Sequence, residues 1–134
     1  MLKQVPYLCA ALLAAGLTSF AAAQDDGYQP DVERGRMAFR ECARCHSFLD
    51  NPPRRGPTLI GVFGREAGTV PGYAYSDAIK ESRIIWTGET IKAWISDPVG
   101  FIPGSRKNGH SLQRPHRLDD LIAYLKIRTD PANQ

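Results

Sequence analysis

Leu118, Leu121, Ile122 and Leu125 recur at i, i+3, i+4 and i+7, one apolar stripe of an amphipathic helix that starts near Pro115. Three weaker patterns precede it. Residues 31–42, DVERGRMAFREC, read as a helix capped by Asp31, with Glu33 near its positive end and Val32, Met37 and Phe39 as core contacts. Residues 75–82 form a short helix candidate. Residues 87–98, TGETIKAWISDP, place Ile91, Trp94 and Ile95 on one face, with Thr87 as cap and Pro98 as stop. Residues 51–72, NPPRRGPTLIGVFGREAGTVPG, are a long Pro- and Gly-rich loop, and 99–113 are a second irregular stretch. No alternating strand pattern and no internal repeat occurs. The expectation is an all-α domain of three to four short helices joined by long loops. Such a chain has little apolar surface for a core and needs something further to pack on.

The first apolar run lies outside that domain. Lys3 precedes an apolar stretch over 8–17, and Ala21-Ala22-Ala23 then supply the small side chains of a cleavage site. The segment 1–23 reads as a cleaved secretory signal peptide and 24–134 as a single domain. An uncleaved anchor is the competing reading, disfavoured because the run ends at Thr18-Ser19. Export implies the periplasm, with no stable membrane insertion after cleavage. The full chain of 134 residues carries a formal charge of +3 with acids and bases interleaved, which is no nucleic-acid footprint. Of three cysteines, Cys9 leaves with the leader, so Cys42 and Cys45 remain.

Residues 42–48, CARCHSF, carry the candidate chemistry. A zinc site built from Cys42, Cys45, His110 and His116 departs far from finger spacing and leaves His46 without a role. A thioredoxin-like redox pair should follow a strand, whereas the segment before Cys42 reads as helix. Covalent haem attachment uses all three residues: each thiol adds to one vinyl group, and the adjoining His46 falls beneath the iron. An apolar macrocycle fixed in this way also supplies the missing core.

CARCH is accompanied by RRGPTLIGVFGREAG, VPGYAYSDAIKES, Trp86, FIPGSRK and DDLIAYLK. Together these resemble the class I cytochromes c of the mitochondrial and bacterial c2 type, over nearly all of residues 31–128. The resemblance implies the class I cytochrome c fold around one covalent haem c, and one-electron transfer rather than enzymatic turnover. It implies that Cys42 and Cys45 form the thioethers, that His46 is the proximal ligand, and that the Pro57 carbonyl accepts the hydrogen bond of its imidazole. It also implies that Arg65, Tyr75 and Trp86 surround the buried propionates, and it places Trp94 against the haem. Arg44, Arg106, Lys107, Arg114 and Arg117 are candidates to ring the haem edge and steer acidic redox partners, such as a dehydrogenase, a reductase or a membrane respiratory complex. A monomer is the default.

One departure stands out. The family loop reads Pro-Gly-Thr-Lys-Met, and its methionine binds iron; here the stretch is Pro103-Gly104-Ser105-Arg106-Lys107, and no methionine follows Met37. Trp94 replaces a tyrosine, Ile79 an asparagine and Gly109 a bulky aromatic around the same distal side. The sixth ligand is then Lys107 first, His110 second, an open position third, with Asn108 further behind. His116 falls in the first turn of the last helix. The leading function is a periplasmic electron carrier of low potential. The alternative is a ligand-binding or sensing haem protein with an open or switchable sixth position and weak peroxidase activity.

Overall fold

The computed structural model describes residues 27–49, 55–106 and 114–133. The proposed leader, Lys107, Asn108, Gly109 and His110 lie outside the described residues.

Five α-helices occur among the described residues: α1 Val32–Phe39, α2 Asp77–Glu81, α3 Gly88–Ser96, α4 Pro98–Phe101 and α5 Pro115–Arg128. A 3-10 turn, Cys42–Arg44, follows α1, and among the described residues β-structure is limited to an isolated bridge between Glu66 and Ile85. The all-α expectation holds, and the helix ends shift from their expected places for local reasons. Asp31 caps α1 by accepting from the Arg34 N–H, but α1 stops at Phe39, ahead of Cys42, and the chain tightens into the 3-10 turn. Thr87 and Thr90 form a reciprocal capping box on α3. Pro98 both ends α3 and begins α4, where its missing N–H costs nothing. Residues expected to be loop after Pro98 are therefore helical as far as Phe101.

α1 and α5 pack across each other at Gly35. A Cβ there would stand 2.7 Å from both the Asp120 carbonyl carbon and Tyr124 Cβ, so only glycine permits this approach. Ala38, Phe39, Leu118, Leu121, Ile122 and Leu125 close a core that also takes in Val62 and Ile91. Leu121 is fully buried, and the whole predicted stripe of α5 faces inward. Two apolar residues of α1 do not. Val32 and Met37 are 39 % and 45 % exposed, which corrects the expectation that they pack in the core. Met37 accepts a long contact from Arg36 at the surface.

Behind this interface, Asp120 gathers the chain's start onto α5. Its carboxylate accepts from Tyr28 Oη (2.8 Å), the Asp31 N–H (2.6 Å) and Arg34 Nε (3.0 Å). Burial pushes this carboxyl up, but those three donors outweigh it and hold it below its ordinary range. His116 lies in the first turn of α5, as expected, stacked on Tyr28 at 3.8 Å.

A second, smaller cluster is built from loops and the short helices. Ala67, Ile79 and Ile102 are buried there, with Tyr75, Ala78, Ile84, Trp86, Trp94 and Phe101 packed around them. Trp86 touches both clusters.

Candidate functional site

The CxxCH segment is positioned from both sides. The Cys42 carbonyl accepts from both the Cys45 N–H (3.0 Å) and the His46 N–H (2.9 Å), folding the motif into one tight turn. Two residues on, Phe48 stacks on Phe39 of α1 at 4.6 Å and meets Tyr124 of α5 edge-on at 6.0 Å. The helix-pair core thus holds the attachment segment. Cys42 and Cys45 are half-buried and are not joined to each other.

His46 Nδ1 lies 2.8 Å from the Pro57 carbonyl oxygen. A carbonyl only accepts, so Nδ1 carries the proton and Nε2 keeps the lone pair that binds a metal. Gly56 completes the support. Its N–H donates to the Cys45 carbonyl at 2.9 Å. A Cβ on it would stand 2.7 Å from Nδ1 and 2.8 Å from Nε2 of His46, against the face of the ring. A side chain at 56 would displace the imidazole.

Arg65 and Trp86 are brought together by backbone pairing, the Trp86 N–H donating to the Arg65 carbonyl (2.9 Å) and the Gly64 N–H to the Trp86 carbonyl (2.8 Å). The half-buried Arg65 guanidinium donates to the carbonyls of Ile60 (2.6 Å) and Thr58 (2.8 Å) and, among the described residues, meets no carboxylate. Burial lowers its pKa. Burial raises that of Tyr75, whose phenol stays protonated and able to donate at neutral pH. Ser76 occupies the N-cap position of α2 yet makes no capping bond, and its Oγ is buried without a partner. In the sequence Ser76 is inconspicuous, because a serine before Asp77 looks like an ordinary cap; only its unused hydroxyl marks it.

Trp94 projects from α3 into the second cluster, its ring 6.0 Å from that of Trp86. Ile79 is buried in the same cluster. Of the cations expected around an exposed edge, Arg44, Arg106 and Arg114 are exposed, while Arg117 pairs with Glu41 at 2.8 Å. Arg117 is thus a neutralised member of that set.

These residues fit a haem c. Two thiols and an imidazole whose Nδ1 faces the Pro57 carbonyl, so that Nε2 is the nitrogen suited to a metal, meet the demands of thioether and proximal bonds. Arg65, Tyr75 and the unpartnered Ser76 hydroxyl are donor groups of the kind that buried carboxylates would require. Apolar side chains of both clusters meet through Trp86. No helix among the described residues is long and apolar enough to cross a membrane.

No family model matches the chain. Individual relatives do. The chain is 39 % identical over 115 residues to cytochrome c2 of Blastochloris viridis, an alignment covering 85 % of this chain and 91 % of that one. It is 43 % identical over 96 residues to cytochrome c2 of Rhodoplanes tepidamans, covering 71 % and 90 %. Among solved structures, cytochrome cH from Methylobacterium extorquens superposes with a TM-score of 0.66 at 42 % identity, covering 72 % of this chain and 97 % of that one. With its CxxCH turn, its supported imidazole and relatives of this similarity, the chain belongs to the class I cytochromes c, electron-transfer proteins that carry one covalent haem c.

Proposed function

We propose that this cytochrome is an exported, periplasmic one-electron carrier whose iron is held by His46 on one side and by a nitrogen donor, Lys107 ahead of His110, on the other. In this reading 1–23 is removed on export and 24–134 is the working domain. The haem, thioether-linked to Cys42 and Cys45, supplies a site that takes up and releases one electron. The protein's part is to set its potential and its surroundings. The Nδ1–H bond to Pro57 fixes the imidazole and raises its basicity. Arg65, Tyr75 and Ser76 provide donors to the propionates, with Trp86 between them and the core. Trp94 and Ile79 give the distal side an apolar lining that excludes water.

The observation that carries the proposal is the position of the sulfur. The chain has two methionines, Met1 and Met37. Met1 belongs to the leader, and Met37 is 45 % exposed on α1. The loop that bears the family's methionine is anchored as far as Ser105: Ile102 is buried, and the Ser105 N–H donates to the Ile102 carbonyl at 3.1 Å. Lys107 comes two residues after Ser105, which favours it over His110. A lysine must lose its proton to bind, against an ordinary pKa of about 10.4. A nitrogen donor in place of a thioether favours ferric iron and lowers the potential.

The test is a pair of spectra at neutral pH, ferric, and ferrous under carbon monoxide. The proposal expects a low-spin ferric spectrum, slow carbon monoxide binding, and loss of the low-spin form in Lys107→Ala but not in His110→Ala. Rapid carbon monoxide binding by the unaltered protein would favour the ligand-binding alternative. The apolar replacements Ile79 and Trp94 are the feature that speaks for that alternative; they supply no acid–base pair, which speaks against dedicated peroxide cleavage.

A further inference from the structure

Tyr73 stands outside every role assigned above, yet it touches both Tyr75 and the residue that precedes the support of His46. Its hydroxyl donates to the Arg55 carbonyl at 2.7 Å, across 18 residues of sequence. Its ring meets that of Tyr75 edge-on, at 4.7 Å between centroids. The contact with Arg55 matters because the next two residues both support His46. Gly56 lies against the face of the imidazole, and the Pro57 carbonyl accepts from Nδ1. Three consecutive residues therefore run from the Tyr73 hydroxyl to the proximal ligand. Downstream, the strip is held by Arg65, which donates to the carbonyls of Thr58 and Ile60. Upstream, the bond from Tyr73 secures it among the described residues. Along its length, the Gly56 N–H is tied to the Cys45 carbonyl.

We infer that Tyr73 is a positioning residue for the proximal imidazole, acting through the Arg55-Gly56-Pro57 strip and coupling it to Tyr75. The strip cannot move without changing either the contact on the ring face or the hydrogen bond at Nδ1. A face contact as close as that of Gly56 leaves no slack: a shift of a few tenths of an ångström is felt by the ring. The bond to the imidazole tunes ligand basicity and, through it, the potential. Releasing one end of the strip therefore alters the iron's proximal bond, although Tyr73 touches neither the ligand nor its acceptor. The inference rests on the assignment of His46 as the proximal ligand.

The test uses the haem-loaded full-length protein and three variants. Tyr73→Phe keeps the ring contact with Tyr75 and removes only the bond to Arg55. Arg55→Ala is the control, because the accepting atom is a backbone carbonyl and survives the change. Gly56→Ala forces the strip directly. Two readouts are used: the paramagnetically shifted proton resonances of the His46 ring in the ferric protein, and the reduction equilibrium constant against a redox mediator. Tyr73→Phe is expected to move the His46 resonances and to change the equilibrium constant about twofold or more. Arg55→Ala should change neither, and Gly56→Ala should exceed Tyr73→Phe in both. If Tyr73→Phe lowers the melting temperature while both readouts stay at their unaltered values, Tyr73 is merely structural and the inference is wrong. Should Gly56→Ala fail to fold, Tyr73→Phe decides the matter alone. A wild-type protein without covalent haem after denaturing electrophoresis would instead overturn the functional assignment, and this inference with it.

Discussion

The α1–α5 interface and the second cluster are held together in different ways. At the interface, six buried side chains of α1 and α5 pack together with Val62 and Ile91, and a glycine lets the two helices approach closely. In the second cluster, three side chains among the described residues are buried, with six apolar or aromatic neighbours part-buried around them, and α2 and α4 are 5 and 4 residues long. Helices of that length do not persist on their own propensity. One region is a helix pair complete within the polypeptide. The other is a set of loops held by backbone ties around a small cluster, which a bound macrocycle would complete. The attachment segment is fastened to the first region by Phe48, and Trp86 packs against both regions.

The widest separation of the two regions should come from denying the chain its haem. A Cys42→Ser, Cys45→Ser double variant is expected to lose most of its far-ultraviolet helical signal, with residual amide protection confined to α1 and α5. A well-folded haem-free chain would erase the distinction. Next comes the interface itself. Leu121→Ala removes a fully buried side chain and should cost about 2–5 kcal/mol in denaturant unfolding of the haem protein. Gly35→Ala ranks below it, at about 1–3 kcal/mol, because α1 and α5 must separate to admit the methyl group. If both changes left stability intact and altered only the haem spectrum, the interface would not be the self-sufficient region described here.

The smallest effect is electrostatic. Asp120 has its folded-state pKa lowered, so its network contributes stability that is complete above the ordinary carboxylate pKa of about 3.9 and disappears as pH falls through the lower folded value. Unfolding midpoints measured from pH 7 downward should fall more steeply below about pH 4 in the natural protein than in Asp120→Asn. Parallel curves would remove Asp120 from the forces that hold the interface.

The same contrast governs what is legible in the sequence. The stripe on α5, the Asp31 and Thr87 caps and the CxxCH turn are local patterns with local causes, and they can be read directly. Met37 misleads because its spacing on α1 is compatible with a core face, whereas the close approach at Gly35 turns the packed face toward Gly35, Ala38 and Phe39 instead. α4 escapes a sequence reading because Pro98 looks like a stop, although at the first position of a helix it serves equally as a start. Gly56, Tyr73 and Ser76 lie in stretches that carry the resemblance, but no spacing or residue type singles them out. Their significance lies in an imidazole face, a distant carbonyl and a hydroxyl that fails to cap, and none of these has a sequence period. Arg65, Tyr75, Trp86 and Trp94 are named through the resemblance, and the structure supplies their pairing, burial and ring contacts.

A class I cytochrome c without sulfur on its iron is the central claim, and the near-infrared spectrum of the ferric protein at neutral pH tests it most directly. The prediction is a charge-transfer band characteristic of two nitrogen ligands, abolished in Lys107→Ala. The weak band of thioether-bound ferric haem in the unaltered protein would contradict it.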